Sequence, residues 1–156
     1  MRYQLYREQQ LHCDLSTAWE FFSNPGNLSK ITPKGMGFVV LTKNLKADIH
    51  EGMEIDYTVS PLFRIPIKWK THIVQVDFQK SFTDFQAKGP YKLWNHHHEF
   101  IPNSDGVLMK DTVDYELPLG ILGQIAHSLF VKKKLNGIFD YRFQYLNEKF
   151  NQNQVK

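Results

Sequence analysis

The segment Trp94-Asn95-His96-His97-His98-Glu99-Phe100, with three consecutive histidines, is the most unusual of the chain. Alternate residues of a strand share a face. Trp94 and Phe100 are apolar, so the even positions are assigned inward. That puts His96 and His98 on the interior face, and His97 and Glu99 outside. Two imidazoles at i and i+2 of one strand could ligate a metal ion. A metal site needs further ligands, and Asp111, at the polar end of the inward face of the neighbouring strand, is the nearest carboxylate. This does not make a complete ligand set, so no metal and no cofactor are expected. His96 with Asp111 could equally work as an acid–base pair, or simply be a structural histidine–carboxylate pair. Thr83, Asp84, Tyr57 and Tyr115 could add polar contacts or serve the fold alone. No serine or cysteine nucleophile motif, phosphate-cradling glycine loop or Cys-X-X-Cys accompanies them.

The elements that must position these groups are legible from period and punctuation. Arg2 to Gln10 alternates loosely and reads as an edge strand. Asp14 or Ser16 can cap a short helix carrying Ala18, Phe21 and Phe22, which Asn24-Pro25-Gly26 stops. Thr17 with Glu20 could form a capping box, and Asn27 to Ile31 could make another helical turn. From Met36 the period becomes two. Met36, Phe38 and Val40 alternate, then Met53, Ile55, Tyr57 and Val59, with Pro61 as the stop. Ile67, Trp69, Thr71 and Ile73 follow, then strands over Phe82 to Lys88 and Tyr91 to Ile101. Pro102-Asn103-Ser104-Asp105-Gly106 is a turn. Met109, Val113, Tyr115 and Leu117 share the last inward face. From about Leu119 to Phe150 the spacing is helical. Ile121, Ile125 and Leu129 are followed by Leu135, Phe139, Phe143, Leu146 and Phe150. Thirty helical residues span about 45 Å, which needs a long sheet to lie on. A strongly curved sheet cannot meet a straight helix flush, so the gap must hold large side chains or a ligand.

Composition bounds the function. The chain has 156 residues, 42% hydrophobic and 22% charged, with twelve Phe, seven Tyr and three Trp. One domain over residues 1–156 is expected. The net charge of +3 lacks a broad basic stripe, so no nucleic-acid partner is expected, and Lys132-Lys133-Lys134 reads as a solvated helix face. No stretch approaches the roughly twenty apolar residues of a membrane span. Cys13 is the lone cysteine, which suits a reducing compartment, and a cytoplasmic location is expected.

The element order resembles that of the Bet v 1-like, or START/polyketide-cyclase (SRPBCC), superfamily, and in particular a bacterial ligand-binding subgroup. Four segments carry the resemblance: Thr17-Ala18-Trp19-Glu20-Phe21-Phe22; Asn27-Leu28-Ser29-Lys30-Ile31-Thr32-Pro33; Gly89-Pro90-Tyr91-Lys92-Leu93-Trp94; and Asp114-Tyr115-Glu116-Leu117-Pro118-Leu119-Gly120. The resemblance implies the α+β helix-grip fold. In it a curved antiparallel sheet of six or seven strands wraps a long C-terminal helix, with two short helices after the first strand. It also implies a hydrophobic pocket, but not one activity.

The expected function is therefore binding of a small hydrophobic or amphipathic molecule, lipid-, steroid- or polyketide-like, by a monomer or homodimer. Met53, Ile55, Tyr57, Trp69, Trp94, Phe100, Tyr115, Ile125, Leu129 and Phe139 are the expected lining, with His96, His98 and Asp111 as its polar groups. Two alternatives stand beside it. One is a cavity enzyme of cyclase, isomerase or hydrolase type, ranked behind binding. The other is a protein-interaction module.

Overall fold

The computed structural model describes residues 1–43, 48–60 and 65–152. The stop assigned to Pro61 lies outside them. The strands are β1 (Arg2–Leu11), β2 (Val39–Val40), β3 (Glu54–Val59), β4 (Ile67–Asp77), β5 (Ser81–Lys88), β6 (Leu93–Asn103) and β7 (Gly106–Glu116). They form one antiparallel sheet in the order β1-β7-β6-β5-β4-β3-β2. Consecutive strands from β2 to β7 pair as neighbours, as sequential elements commonly do. β1 instead adds to the free edge of β7, so both ends of the order are edges. Register shifts between Lys70 and Thr71 and between Ile73 and Gln75 interrupt the β4–β5 ladder, and such irregularities bend a sheet.

Helix α1 (Leu15–Phe22) starts where Asp14 accepts the amide hydrogen of Thr17 at 2.8 Å. The Thr17–Glu20 capping box is replaced by this single cap. Trp19 projects from α1 edge-on to Phe100, 5.7 Å between ring centroids, and to Phe82, 6.0 Å. Met36 departs from expectation. It lies in a 3₁₀ turn, Lys34–Met36, ended by Gly37 at φ 53°, so the strand beyond it shortens to Val39–Val40.

The C-terminal helix runs as α2 (Gly120–Ala126), a π-helical turn (His127–Val131) and α3 (Lys132–Phe150). On α3 the buried stripe is Leu135, Phe139, Arg142, Leu146 and Phe150. Phe143 is half-exposed at 46%. The earlier part of the helix overturns two expectations: Ile125 is 52% and Leu129 61% exposed, so neither faces the interior. The reason is a close approach on the opposite side. A Cβ on Gly123 would lie 2.1 Å from the carbonyl oxygen of Pro118, so only glycine lets α2 pack there. His127, one turn on, is buried. Its ring stacks on Tyr3 at 3.5 Å and its Nε2 pairs with the Tyr115 hydroxyl at 2.8 Å. The π turn fits an extra residue into one turn and rotates the helix beyond it. The stripe of Ile121, Ile125 and Leu129 therefore does not run into that of Leu135 and Phe139. Together with Leu119, Leu122 and Phe130 it forms an exposed apolar face.

Candidate functional site

Inward parity on β3, β4 and β6 aims Ile55, Tyr57, Trp69, Trp94, His96 and His98 at the space under α3. These side chains, with Phe139, Ile138 and Leu135 of α3, line a cavity of about 190 Å³. Rings meet edge to face on its wall: Trp69 and Trp94 lie 5.4 Å apart at 88°. Such pairs form rigid apolar surface.

The other expected lining residues lie elsewhere. Phe100 is buried beneath α1 against Trp19 and Phe82. The Tyr115 hydroxyl is committed to His127. Met53 precedes β3 and packs at the margin of the core. Ile125 and Leu129 are in solvent, because the helix turns its other side to Pro118.

One wall of the cavity is polar, and the ladders build it. Asp84 of β5 stands directly opposite His96, and Asp111 of β7 directly opposite His98. Each imidazole therefore has one carboxylate across the ladder and the other on the diagonal, both within reach. His96 Nε2 donates to Asp111 Oδ1 at 2.9 Å, and its Nδ1 faces Asp84 Oδ2 at 3.5 Å. His98 Nε2 donates to Asp84 Oδ2 at 3.0 Å. Its Nδ1 lies 2.8 Å from Asp111 Oδ1, but out of line for a hydrogen bond. The second oxygen of Asp111 is 3.6 Å from Arg142 Nη1. The Arg142 guanidinium also lies over the Phe139 ring, 4.7 Å from its centroid. His97 points outward and pairs with Thr83 Oγ1 at 2.9 Å. On the apolar side, Tyr57 Oη and Trp69 Nε1 share Thr71 Oγ1, at 3.0 and 3.2 Å.

The electrostatics separate the two histidines. Burial, with His98 beside it, lowers the pKa of His96 despite both carboxylates. Burial also acts to lower that of His98, but Asp111 and Asp84 outweigh it and raise it. Burial works to raise the carboxyl of Asp111, yet the two imidazoles hold it well below the usual range.

Sequence reasoning assigns no place to two members of the cluster. It names Asp84 only as one polar residue among several, and it misses Arg142. The signal for Arg142 is present: a charged residue three after Phe139 and four before Leu146 sits on the apolar stripe. Its Nε and Nη1 are buried and make no hydrogen bond among the described residues.

No family model matches the sequence, and no curated protein matches it. Solved structures do. A protein of Thermus thermophilus superposes with a TM-score of 0.68 at 15% identity, over 96% of each chain. Norcoclaurine synthase of Thalictrum flavum, a point mutant in complex with a transition-state analogue, gives 0.65 at 15% identity, over 96% of each chain. Major latex-like protein 151 of Panax ginseng gives 0.67 at 15% identity, over 96% of this chain and 97% of the other. Likeness at such identity concerns architecture. The seven-stranded antiparallel sheet closed by a long C-terminal helix, shared over nearly the whole length of these proteins, makes this chain a member of the Bet v 1-like helix-grip fold.

Proposed function

We propose that this protein binds a small amphipathic molecule, apolar in body and polar at one end, in the cavity beneath α3. The single observation behind this reading is the cavity itself: about 190 Å³, apolar on most of its wall, with Asp84, His96, His98 and Arg142 gathered on one side. An apolar cavity of about 150 Å³ already accepts benzene, so a molecule of one or two rings, or a short chain, suits this volume. The buried N–H groups of Arg142 lack acceptors among the described residues. A head group offering oxygen acceptors would supply them, and buried donors cost least when paired. The lone, partly buried Cys13 suits a reducing, cytoplasmic setting.

Titration with an anilinonaphthalene dye tests the reading. One dye should bind per folded chain, and Ile138→Trp, which fills the cavity from α3, should abolish binding while the fold is kept. Absence of dye binding by the folded wild type would refute it.

A second reading, a cavity enzyme, draws on the buried His96–Asp111 pair at 2.9 Å, an arrangement that serves acid–base chemistry. Native mass spectrometry of protein purified from its own host separates the two. A retained ligand of constant mass indicates a binder. A mass that changes on incubation with the wild type but not with His96→Phe indicates an enzyme. The interaction-module reading draws on the exposed α2 face alone.

A further inference from the structure

We propose that Asp84, His96 and His98 bind a divalent first-row transition-metal ion on the wall of the cavity. This inference does not depend on the organic ligand. It reverses the expectation from sequence that no metal would bind, because the ladder supplies a ligand that sequence left out. Asp111 was the expected third ligand. Instead Asp84 stands on the open side of both imidazoles, and Asp111 stands behind them.

The geometry is that of a ligand set drawn around one point. One ring nitrogen each of His96 and His98 and an Asp84 oxygen all lie within 4.8 Å of one another. The two nitrogens are 3.5 and 3.0 Å from Asp84 Oδ2. Metal–ligand bonds of about 2.0–2.2 Å at tetrahedral or octahedral angles place neighbouring ligand atoms about 2.9–3.6 Å apart. Both separations from Asp84 fall in that range.

What stands behind the ligands is a second, independent observation. A metal-bound histidine usually donates its other ring N–H to a carboxylate, which fixes tautomer and ring orientation. Here His96 donates its Nε2–H to Asp111 Oδ1 at 2.9 Å, and the same oxygen lies 2.8 Å from the far nitrogen of His98. One carboxylate thus orients the His96 ring and stands against the far side of His98, and Arg142 faces its other oxygen. His96, His98 and Asp111 are buried, and Asp84 is largely so, its side chain 18% exposed. Asp84, His96 and His98 all line the cavity. Two imidazoles and one carboxylate on a cavity wall leave coordination positions open toward its interior, where a ligand oxygen or water would complete the shell. Nitrogen-rich sets of this kind take zinc, iron(II) or cobalt(II) rather than magnesium or calcium.

Untagged protein stripped with a chelator should be titrated with Co²⁺, followed by its visible absorption, and dialysed against Zn²⁺ and, separately, Mg²⁺. One Zn²⁺ and one Co²⁺ per chain are expected, and no Mg²⁺. Asp84→Asn, His96→Phe and His98→Phe should each abolish the cobalt spectrum. Asp111→Asn should weaken binding about 10- to 100-fold, as loss of a supporting carboxylate does. His97→Phe should leave it unchanged, as should His72→Ala, which removes the separate exposed His72–Glu54 pair. The proposal is overturned if the folded wild type binds no Zn²⁺ or Co²⁺. It is equally overturned if binding survives in His96→Phe and His98→Phe, or disappears in His72→Ala. Dye binding measured on the same samples keeps this outcome apart from that of the cavity reading.

Discussion

Asp84 and His96 face each other directly across the β5–β6 ladder, with the Asp84 carboxylate 3.5 Å from His96 Nδ1. Neither residue is near the other in the chain. The turn between β5 and β6 sets the register, and that register decides that the open side of the imidazole meets a carboxylate. On the other side of β6, Asp111 plays the opposing part. The polar wall of the cavity is thus built across three adjacent strands, β5, β6 and β7.

The interior polar pair should matter to stability as well as to binding. Asp111 is buried, accepts from His96 and faces Arg142. Asp111→Asn removes its charge and leaves the guanidinium without a counter-charge there, which should cost about 3 kcal/mol. Urea denaturation at pH 7 measures it. A change below about 0.5 kcal/mol, the scale of an ordinary surface substitution, would mean that the cluster is solvated in solution.

The cap of α1 predicts a pH dependence. Hydrogen bonds from Ser16 and from the backbone and hydroxyl of Thr17 lower the Asp14 carboxyl from 3.8 to about 2. A carboxyl depressed in the folded state adds stability above its ordinary value. That stability fades as pH falls through the folded value. Asp14→Ala should therefore lower the melting temperature at pH 7, and the gap from wild type should close as pH falls from about 4 toward 2. A gap independent of pH would refute this account of the cap.

Two helical glycines should respond with opposite signs. A Cβ on Gly137 meets nothing within 4 Å, so Gly137→Ala should stabilise by about 0.5–1 kcal/mol through helix propensity. A Cβ on Gly123 would collide with the Pro118 carbonyl, so Gly123→Ala should lower the melting temperature. Calorimetry of both variants decides it, and the same sign for both would contradict the packing of α2.

The exposed stripe can be tested against the buried one. Leu135 is 3% exposed and Leu129 61%. Leu135→Ala should cost about 2–5 kcal/mol, whereas Leu129→Ser should change stability by less than about 0.5 kcal/mol. Similar losses from both would restore the continuous inward stripe read from spacing.

Period and parity, which are local properties, were legible in the sequence. The two-residue alternation identified β3, β4, β6 and β7. It also turned His96 and His98 inward with Trp94, because a strand's faces are set by its own pleat. The resemblance in four segments led to the helix-grip architecture. Tertiary structure decided what the pleat cannot. Cross-strand register chose Asp84 as the partner facing the cavity and put Asp111 behind the rings. The contact of Gly123 with Pro118, together with the π turn after it, rotated Ile125 and Leu129 into solvent. A helix's apolar spacing names a face without naming what that face meets. The same freedom hid Arg142, which reaches the interior because the polar wall of the sheet lies beneath it.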